Sequence, residues 1–433
     1  MIGRPKGGRL EPAEAAALVR SGDTVVCGFA NGQPIGLLEA IGERQDLEGI
    51  TVLTGLLVHA YGFLRHPGVR LVSWFFGPIE RTAREMGGRV EYLPCDFHGF
   101  ERLSLRLEPR VVLALTTPPD ADGWLNFGIS AGASYRPFLE AARDPDRLAL
   151  AEVNPRMPRI GGLAEFGDNR VHVSEVDGWV LRDEPLVTLP AEETAARDSA
   201  IAERVMDLID EGATLQFGIG AIPGEIARRV AASPIGDLGV HSEMISDGVM
   251  QLHLAGKVTN RKGLYDGVSV GTFALGSLDL YRWLDGNPGV RMLPVSAVND
   301  PALHRRLRRF VSINGALAVD LAGQVAADRL GTRQYSGVGG HEAFVTGASE
   351  APGGKSIVCL GSTATVAGRR VSTIVAALPA GTSVTTPRHH VQWVVTEYGA
   401  VDLSALPDVE RARALVDLAH PDFREDLRAA VGR

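Results

Sequence analysis

Two tandem, internally duplicated α/β domains with largely parallel sheets are the architecture this sequence predicts, and three observations carry it. Short β-branched runs alternate with helical periodicity along the chain, as βαβ units require. Landmarks of residues 21–123 recur in the same order in residues 211–323. A length of 433 residues exceeds what one hydrophobic core serves, so two domains are expected, 1–190 and 191–433.

The amino half reads as strands at Thr24–Cys27, Ile50–Leu53 and Val111–Leu115, with helical segments between them. Strand-like stretches at Gly178–Leu181 and Leu186–Leu189 end near Leu189-Pro190-Ala191-Glu192, and a helix from Thr194 to Ile209 opens the second half. There a short apolar run, Ala213–Phe217, empties into Gly218-Ile219-Gly220-Ala221-Ile222-Pro223-Gly224. A helix is expected from Glu225 to Ala232 and a strand at Leu238–Val240. Further strands fall at Val290–Leu293, Phe310–Ile313 and Ser356–Leu360. The tail reads as two helices, Asp408–Ala419 and Pro421–Val431, split where His420 meets Pro421.

The repeat is specific. SGDTVVCGFANGQPIGLLEAIGER at 21–44 follows the order of EGATLQFGIGAIPGEIARRVAAS at 211–233: glycine, strand, glycine turn, proline, helix. Residues 72–94 match 270–294, with Leu93-Pro94 answering Leu293-Pro294, and Asp120–Gly123 answers Asp320–Gly323. The halves differ at one place. After its second strand the carboxyl half has His241-Ser242-Glu243, where the amino half has Thr54-Gly55-Leu56-Leu57-Val58-His59 and no carboxylate. Glu243 therefore sits alone at the carboxyl end of a parallel strand, the edge at which open α/β sheets bind ligands. The amino half is expected to supply walls, with the site in the cleft between domains.

Composition excludes several classes. A net charge of -8 argues against nucleic acid, and the one dense basic run, His304–Arg309, reads as a solvated helix face. Cys27, Cys95 and Cys359 lie far apart without zinc spacing and read as buried cytosolic thiols. No apolar run reaches bilayer-crossing length and no leader follows Met1, so a soluble cytoplasmic protein is expected. His241, His389 and His390 lack metal-ligand spacing, and no metal is expected.

Three glycine motifs compete for meaning. Gly218-x-Gly220 followed by an acid superficially meets the dinucleotide fingerprint, but Pro223 stands where its third glycine belongs, which ranks NAD binding low. Gly353-Gly354-Lys355-Ser356 resembles the end of a phosphate loop, yet Ser349 stands where GxxxxGK[ST] needs glycine. Tyr335–His341 contains Gly337, Gly339 and Gly340, and reads equally as a tight turn or as backbone that approaches a ligand closely.

These residues resemble the acetyl-CoA hydrolase/transferase family, close to the 4-hydroxybutyrate and acetate CoA-transferases. The resemblance rests on Gly218–Pro223, Gly239–Gly248 around Glu243, Lys257–Lys262, Val298–Pro301, Ser336–Gly340, Gly353–Ser356, Val394–Gly399 and Ala419–Phe423. In the amino half it adds Asp120–Gly123 and Val153–Pro158. Ala221 and His341 depart from the family pattern, which has Gly and Gln there. The resemblance implies CoA-transferase-type domains, Glu243 as nucleophile, and Asn299 orienting the carboxylate or the thioester carbonyl. Coenzyme A or acyl-CoA and a small carboxylate are then substrates of a homodimer that holds no permanent cofactor.

The chemistry supports that residue type independently. Moving CoA to a free carboxylate without ATP requires conserving the thioester in covalent form, which a glutamate does as an anhydride and then a thioester. Backbone N–H groups of Gly339-Gly340 are the expected oxyanion donors. Gly220, Ala221, Ile222, Pro223 and Gly224, at a helix amino terminus, are the expected pyrophosphate or pantetheine contacts, with Lys355 as charge partner. Lys262, on a loop, reads as solvated. An acyl-CoA hydrolase on the same frame, an NAD-dependent oxidoreductase and a non-catalytic CoA or nucleotide sensor remain as alternatives.

Overall fold

The computed structural model describes residues 6–190, 193–218 and 220–431. Ile219 and the 191–192 part of the expected join lie outside the described residues. The chain divides into two compact units, one running to Leu189 and taking in Val270–Val298, the other comprising Pro190–Ser269 and Asn299–Arg433. Residues 270–298, inside the span expected for the second domain, group with the first unit.

The first unit is built on a seven-stranded sheet. Its strands are β1 (Thr24–Cys27), β2 (Ile50–Thr54), β3 (Val69–Ser73), β4 (Val90–Tyr92), β5 (Val111–Thr116), β6 (Leu148–Val153) and β7 (Gly178–Leu181). They lie in the order β4-β3-β2-β1-β5-β6-β7, with every pairing parallel. A parallel sheet is covered on both faces, so its central strands read as continuous apolar runs. Every residue of β5 and β6 is accordingly buried. Leu186–Leu189 forms no strand.

The second unit repeats this plan. Its sheet runs β9-β8-β10-β11-β12-β13, from β8 (Thr214–Phe217), β9 (Gly239–Val240), β10 (Phe310–Gly315), β11 (Lys355–Cys359), β12 (Trp393–Thr396) and β13 (Gly399–Asp402). All pairings are parallel except the closing β12-β13 hairpin. The order β9-β8-β10-β11-β12 repeats β2-β1-β5-β6-β7, and the register repeats too: Val25 pairs with Val111 as Leu215 pairs with Val311. The tail helices are Asp408–Leu418 and Arg424–Ala430, with a 3₁₀ turn at Pro421–Phe423 between them.

Register exposes a difference between the halves. Helix α1 (Ile35–Gly42) follows β1 and has no side-chain cap from its N-cap residue. Its Leu37 N–H instead donates to Glu152 Oε2 at 2.8 Å. Glu152 is 2% exposed, and burial pushes its carboxyl up to about 7. Counted through the paired strands, Glu152 opposite Leu115 corresponds to Cys359 opposite Gly315. The amino-half helix terminus is therefore occupied by the protein's own carboxylate, and its counterpart strand in the second unit carries a thiol instead.

Candidate active site

Glu243 follows β9 at the carboxyl edge of the second sheet. The strand end is tied to β8: His241 N–H donates to Leu215 O at 3.1 Å, and Ser242 Oγ donates to Phe217 O at 3.3 Å. His241 and Ser242 are fully buried while Glu243 is half-buried, so its carboxylate stands at the rim of a rigid strand end. Asn299, itself fully buried, donates from Nδ2 to Glu243 Oε2 at 2.6 Å. Its Oδ1 accepts no hydrogen bond from the described residues.

Gly340 closes the other flank. It is the N-cap of helix α4 (His341–Glu350), with φ -91° and ψ 2°. A Cβ there would overlap Glu243 Oε2 and lie 2.6 Å from Asn299 Nδ2 and 2.8 Å from Phe344 Cε2. Only the absence of a side chain lets the helix terminus close on the carboxylate. Gly339, with φ +57°, supplies the left-handed residue that turns the chain into it. Glu243, Asn299 and Gly340 come together from three separate segments.

The glycine turn after β8 lies at the same sheet edge. Helix α2 (Ala221–Ala232) begins four residues earlier than periodicity placed it. Its N-cap Gly220 has φ +120°, a conformation L side chains rarely adopt. Pro223 falls inside the first turn, where N–H groups have no intrahelical acceptor, so its missing donor costs no helix bond. Ala221, Ile222 and Pro223 are half-buried and Gly224 exposed, leaving the terminus accessible. Among the described residues, no three His, Cys, Asp or Glu side chains come together as a metal site would require.

This geometry can be set beside known proteins. The acetyl-CoA hydrolase/transferase N-terminal domain matches residues 9–190, and the C-terminal domain of the same family matches residues 276–431. The chain belongs to the acetyl-CoA hydrolase/transferase family. The 4-hydroxybutyrate coenzyme A transferase of Clostridium kluyveri is 37% identical over 96% of this chain and 95% of its own length. The butyryl-CoA:acetate CoA-transferase of Anaerostipes caccae is 36% identical over 96% and 93%. The crystal structure of RipA from Yersinia pestis superposes with a TM-score of 0.89 at 33% identity, covering 98% of this chain and 96% of that one.

Two lysines lie elsewhere than their sequence context implies. Lys355 opens β11, opposite Val311 near the start of β10, so it lies at the amino edge of the sheet, away from Glu243 and Gly220. Its Nζ is held by Asp210 Oδ2 at 2.8 Å and Leu208 O at 2.9 Å, and it does not serve as charge partner at the glycine turn. Lys262 is fully buried rather than solvated. It lies along Gly239, donates to Leu264 O at 2.6 Å, and burial lowers its pKa to about 7. No helix of the described residues is long and apolar enough to cross a membrane.

His341 sits beside Gly340, 9% exposed, with Nε2 lacking a partner among the described residues. Burial lowers its pKa from 6.5 to about 4, partly offset by Asp328. In the unfolded chain this imidazole takes up a proton near pH 6.5, whereas in the folded protein it resists until about pH 4. The unfolded state therefore binds more protons within that window, and stability declines as pH falls through it, by roughly 3 kcal/mol in all; above pH 6.5 there is no contribution. His341→Gln is expected to flatten this slope. Urea unfolding of both proteins at pH 7 and pH 5 checks it, and an unchanged pH dependence defeats the assignment.

Proposed function

We infer that this protein is an acyl-CoA:carboxylate CoA-transferase in which Glu243 is the nucleophile. The observation that carries the reading is the half-buried Glu243 carboxylate, held by Asn299 Nδ2 at 2.6 Å and flanked by Gly340 at a carboxyl sheet edge. The transferase names of relatives that match almost the whole chain support the same reaction class.

Glu243 attacks the thioester carbonyl, the C–S bond breaks, and CoA leaves as thiolate from an acyl-glutamyl anhydride. The thiolate then attacks the Glu243 carbonyl and releases the first carboxylate, leaving a glutamyl-CoA thioester. A second carboxylate reverses the sequence and departs as the new acyl-CoA. Asn299 orients the attacking oxygen through a neutral donor, which adds no full positive charge to weaken the nucleophile. Oxyanion donation falls to the Gly339-Gly340 backbone. The α2 terminus, Gly220 to Gly224, takes the pyrophosphate or pantetheine. The enzyme is read as a cytoplasmic homodimer without a permanently bound cofactor; the buried thiols of Cys27 and Cys359, both pushed up to about 12, suit a reducing compartment.

Transfer is expected to outrun hydrolysis, because a glutamyl-CoA thioester is useful only where water is kept from it. Ala221 and His341 alter the size and polarity of the surroundings, so the preferred acid is expected to differ from that of the relatives. The test is product partition: acetyl-CoA is incubated with a panel of short carboxylates, and new acyl-CoA is compared with released CoA. Free CoA dominating with every acid makes the protein a hydrolase on the same frame.

A further inference from the structure

Behind the three segments that meet at Glu243 lies a buried aromatic stack with one ring from each segment. His241 stands two residues before Glu243, His304 five after Asn299, and Phe344 four after Gly340. The His304 ring stacks on Phe344 at 4.7 Å and 17°, and meets His241 edge-on at 5.3 Å and 82°. Phe310 of β10 packs against His304 at 5.1 Å. His241, His304 and Phe310 are 0% exposed and Phe344 is 1%. His304 is thus not part of a solvated basic face.

His304 is the hub of this stack. It ends helix α3 (Pro301–His304), whose start is capped by the Asp300 carboxylate accepting from Ala302 N–H at 2.9 Å. His304 N–H donates to Asp300 O at 3.1 Å, so Asn299, Asp300 and the ring belong to one tight turn. Its Nδ1 lies 3.2 Å from Ala343 O, in the first turn of α4; a carbonyl only accepts, so Nδ1 carries the proton. The ring seats where α4 has no side chain: a Cβ on Gly347 would lie 2.5 Å from His304 Cβ and 2.7 Å from its Cγ. Phe344 in turn packs under Gly340 and donates its N–H to Gly340 O at 3.0 Å.

We propose that His304, seated on Gly347, is a positioning residue that fixes the spacing among Glu243, Asn299 and Gly340 through this stack. This rests on Glu243 being the nucleophile. A displacement of about 1 Å at the reacting groups costs on the order of 100-fold in rate, and supporting residues are what prevent it.

Gly347→Ala forces the ring out of its seat without touching the reacting groups. It is expected to lower kcat about 10- to 100-fold, with the KM for acyl-CoA changed less than about 3-fold. In an Asn299→Ala background, where there is no amide left to misplace, the same substitution is expected to cost less than about 3-fold. The full loss recurring in that background, or a folded Gly347→Ala protein with kcat within about 3-fold of the parent, overturns the proposal. Should Gly347→Ala fail to fold, His304→Leu, which keeps an apolar side chain but removes the stacking ring and its donor, enters the same cycle with the same criteria. Hydroxylamine trapping of the parent protein separates the two readings. No Glu243 adduct means the transferase mechanism has failed, whereas an adduct with an unaffected Gly347→Ala rate defeats only the positioning role.

Discussion

Glu243→Gln is expected to abolish CoA transfer, lowering kcat by about 10⁴-fold or more while acyl-CoA still binds. The substitution keeps the volume and one acceptor oxygen but removes the charge that attacks the thioester, and with it both covalent intermediates. Because Asn299 Nδ2 reaches Glu243 Oε2 at 2.6 Å, the amide side chain can still accept that bond and the local packing survives. Glu243→Asp is expected to fall between, about 100-fold slow, because a carboxylate withdrawn by roughly one methylene leaves its attacking position. Initial rates with acetyl-CoA and a short carboxylate measure both variants, and hydroxylamine trapping with mass spectrometry locates the adduct. Turnover of Glu243→Gln within about tenfold of the parent, or trapping on a serine or cysteine peptide, sinks the mechanism.

Much of the frame can be read in the chain because parallel strands covered on both faces leave continuous apolar runs, as in Val111–Thr116, whereas Leu148–Val153, equally buried but interrupted by Glu152, is not read as a strand. Glu243 stands out only by context: a lone carboxylate at a strand end serves equally well as a helix cap, as Glu152 does for Leu37. What singles Glu243 out is the absence of a carboxylate at the matching place in the amino half, together with the glycine motifs. What stayed hidden depends on direction and distance in three dimensions. Lys355 reads as a charge partner for the bound phosphates, and only the register with Val311 places it at the amino edge, paired with Asp210. Lys262 and His304 read as solvated because periodicity does not register burial on short irregular segments; both are 0% exposed. The capping of α1 by Glu152 joins residues 115 apart, a pairing that only sheet register discloses. Residues 270–298 pack with the first unit although they follow 80 residues of the second, and no local signal marks that exchange.

Gly340→Ala is expected to lower kcat by about 100- to 1000-fold, with the KM for acyl-CoA within about 3-fold. At φ -91° and ψ 2° alanine is tolerated by the backbone, and it keeps the N–H, so neither strain nor a lost donor explains such a loss. The damage is steric and falls on the nucleophile: the new methyl overlaps Glu243 Oε2, and retreat is blocked by Asn299 Nδ2 at 2.6 Å and Phe344 Cε2 at 2.8 Å. The softest element, the carboxylate, must move. KM rising as steeply as kcat falls would mean that the turn shapes the pocket instead, and a rate within about 3-fold of the parent would mean that Glu243 does not rest against Gly340 in the working enzyme. A double-mutant cycle separates this clash from a role of the glycine through its backbone N–H. Glu243→Asp draws the carboxylate back from the methyl, so Gly340→Ala is expected to cost less than about 10-fold in that background. If the methyl instead acts by displacing the backbone N–H from the oxyanion, the two losses multiply.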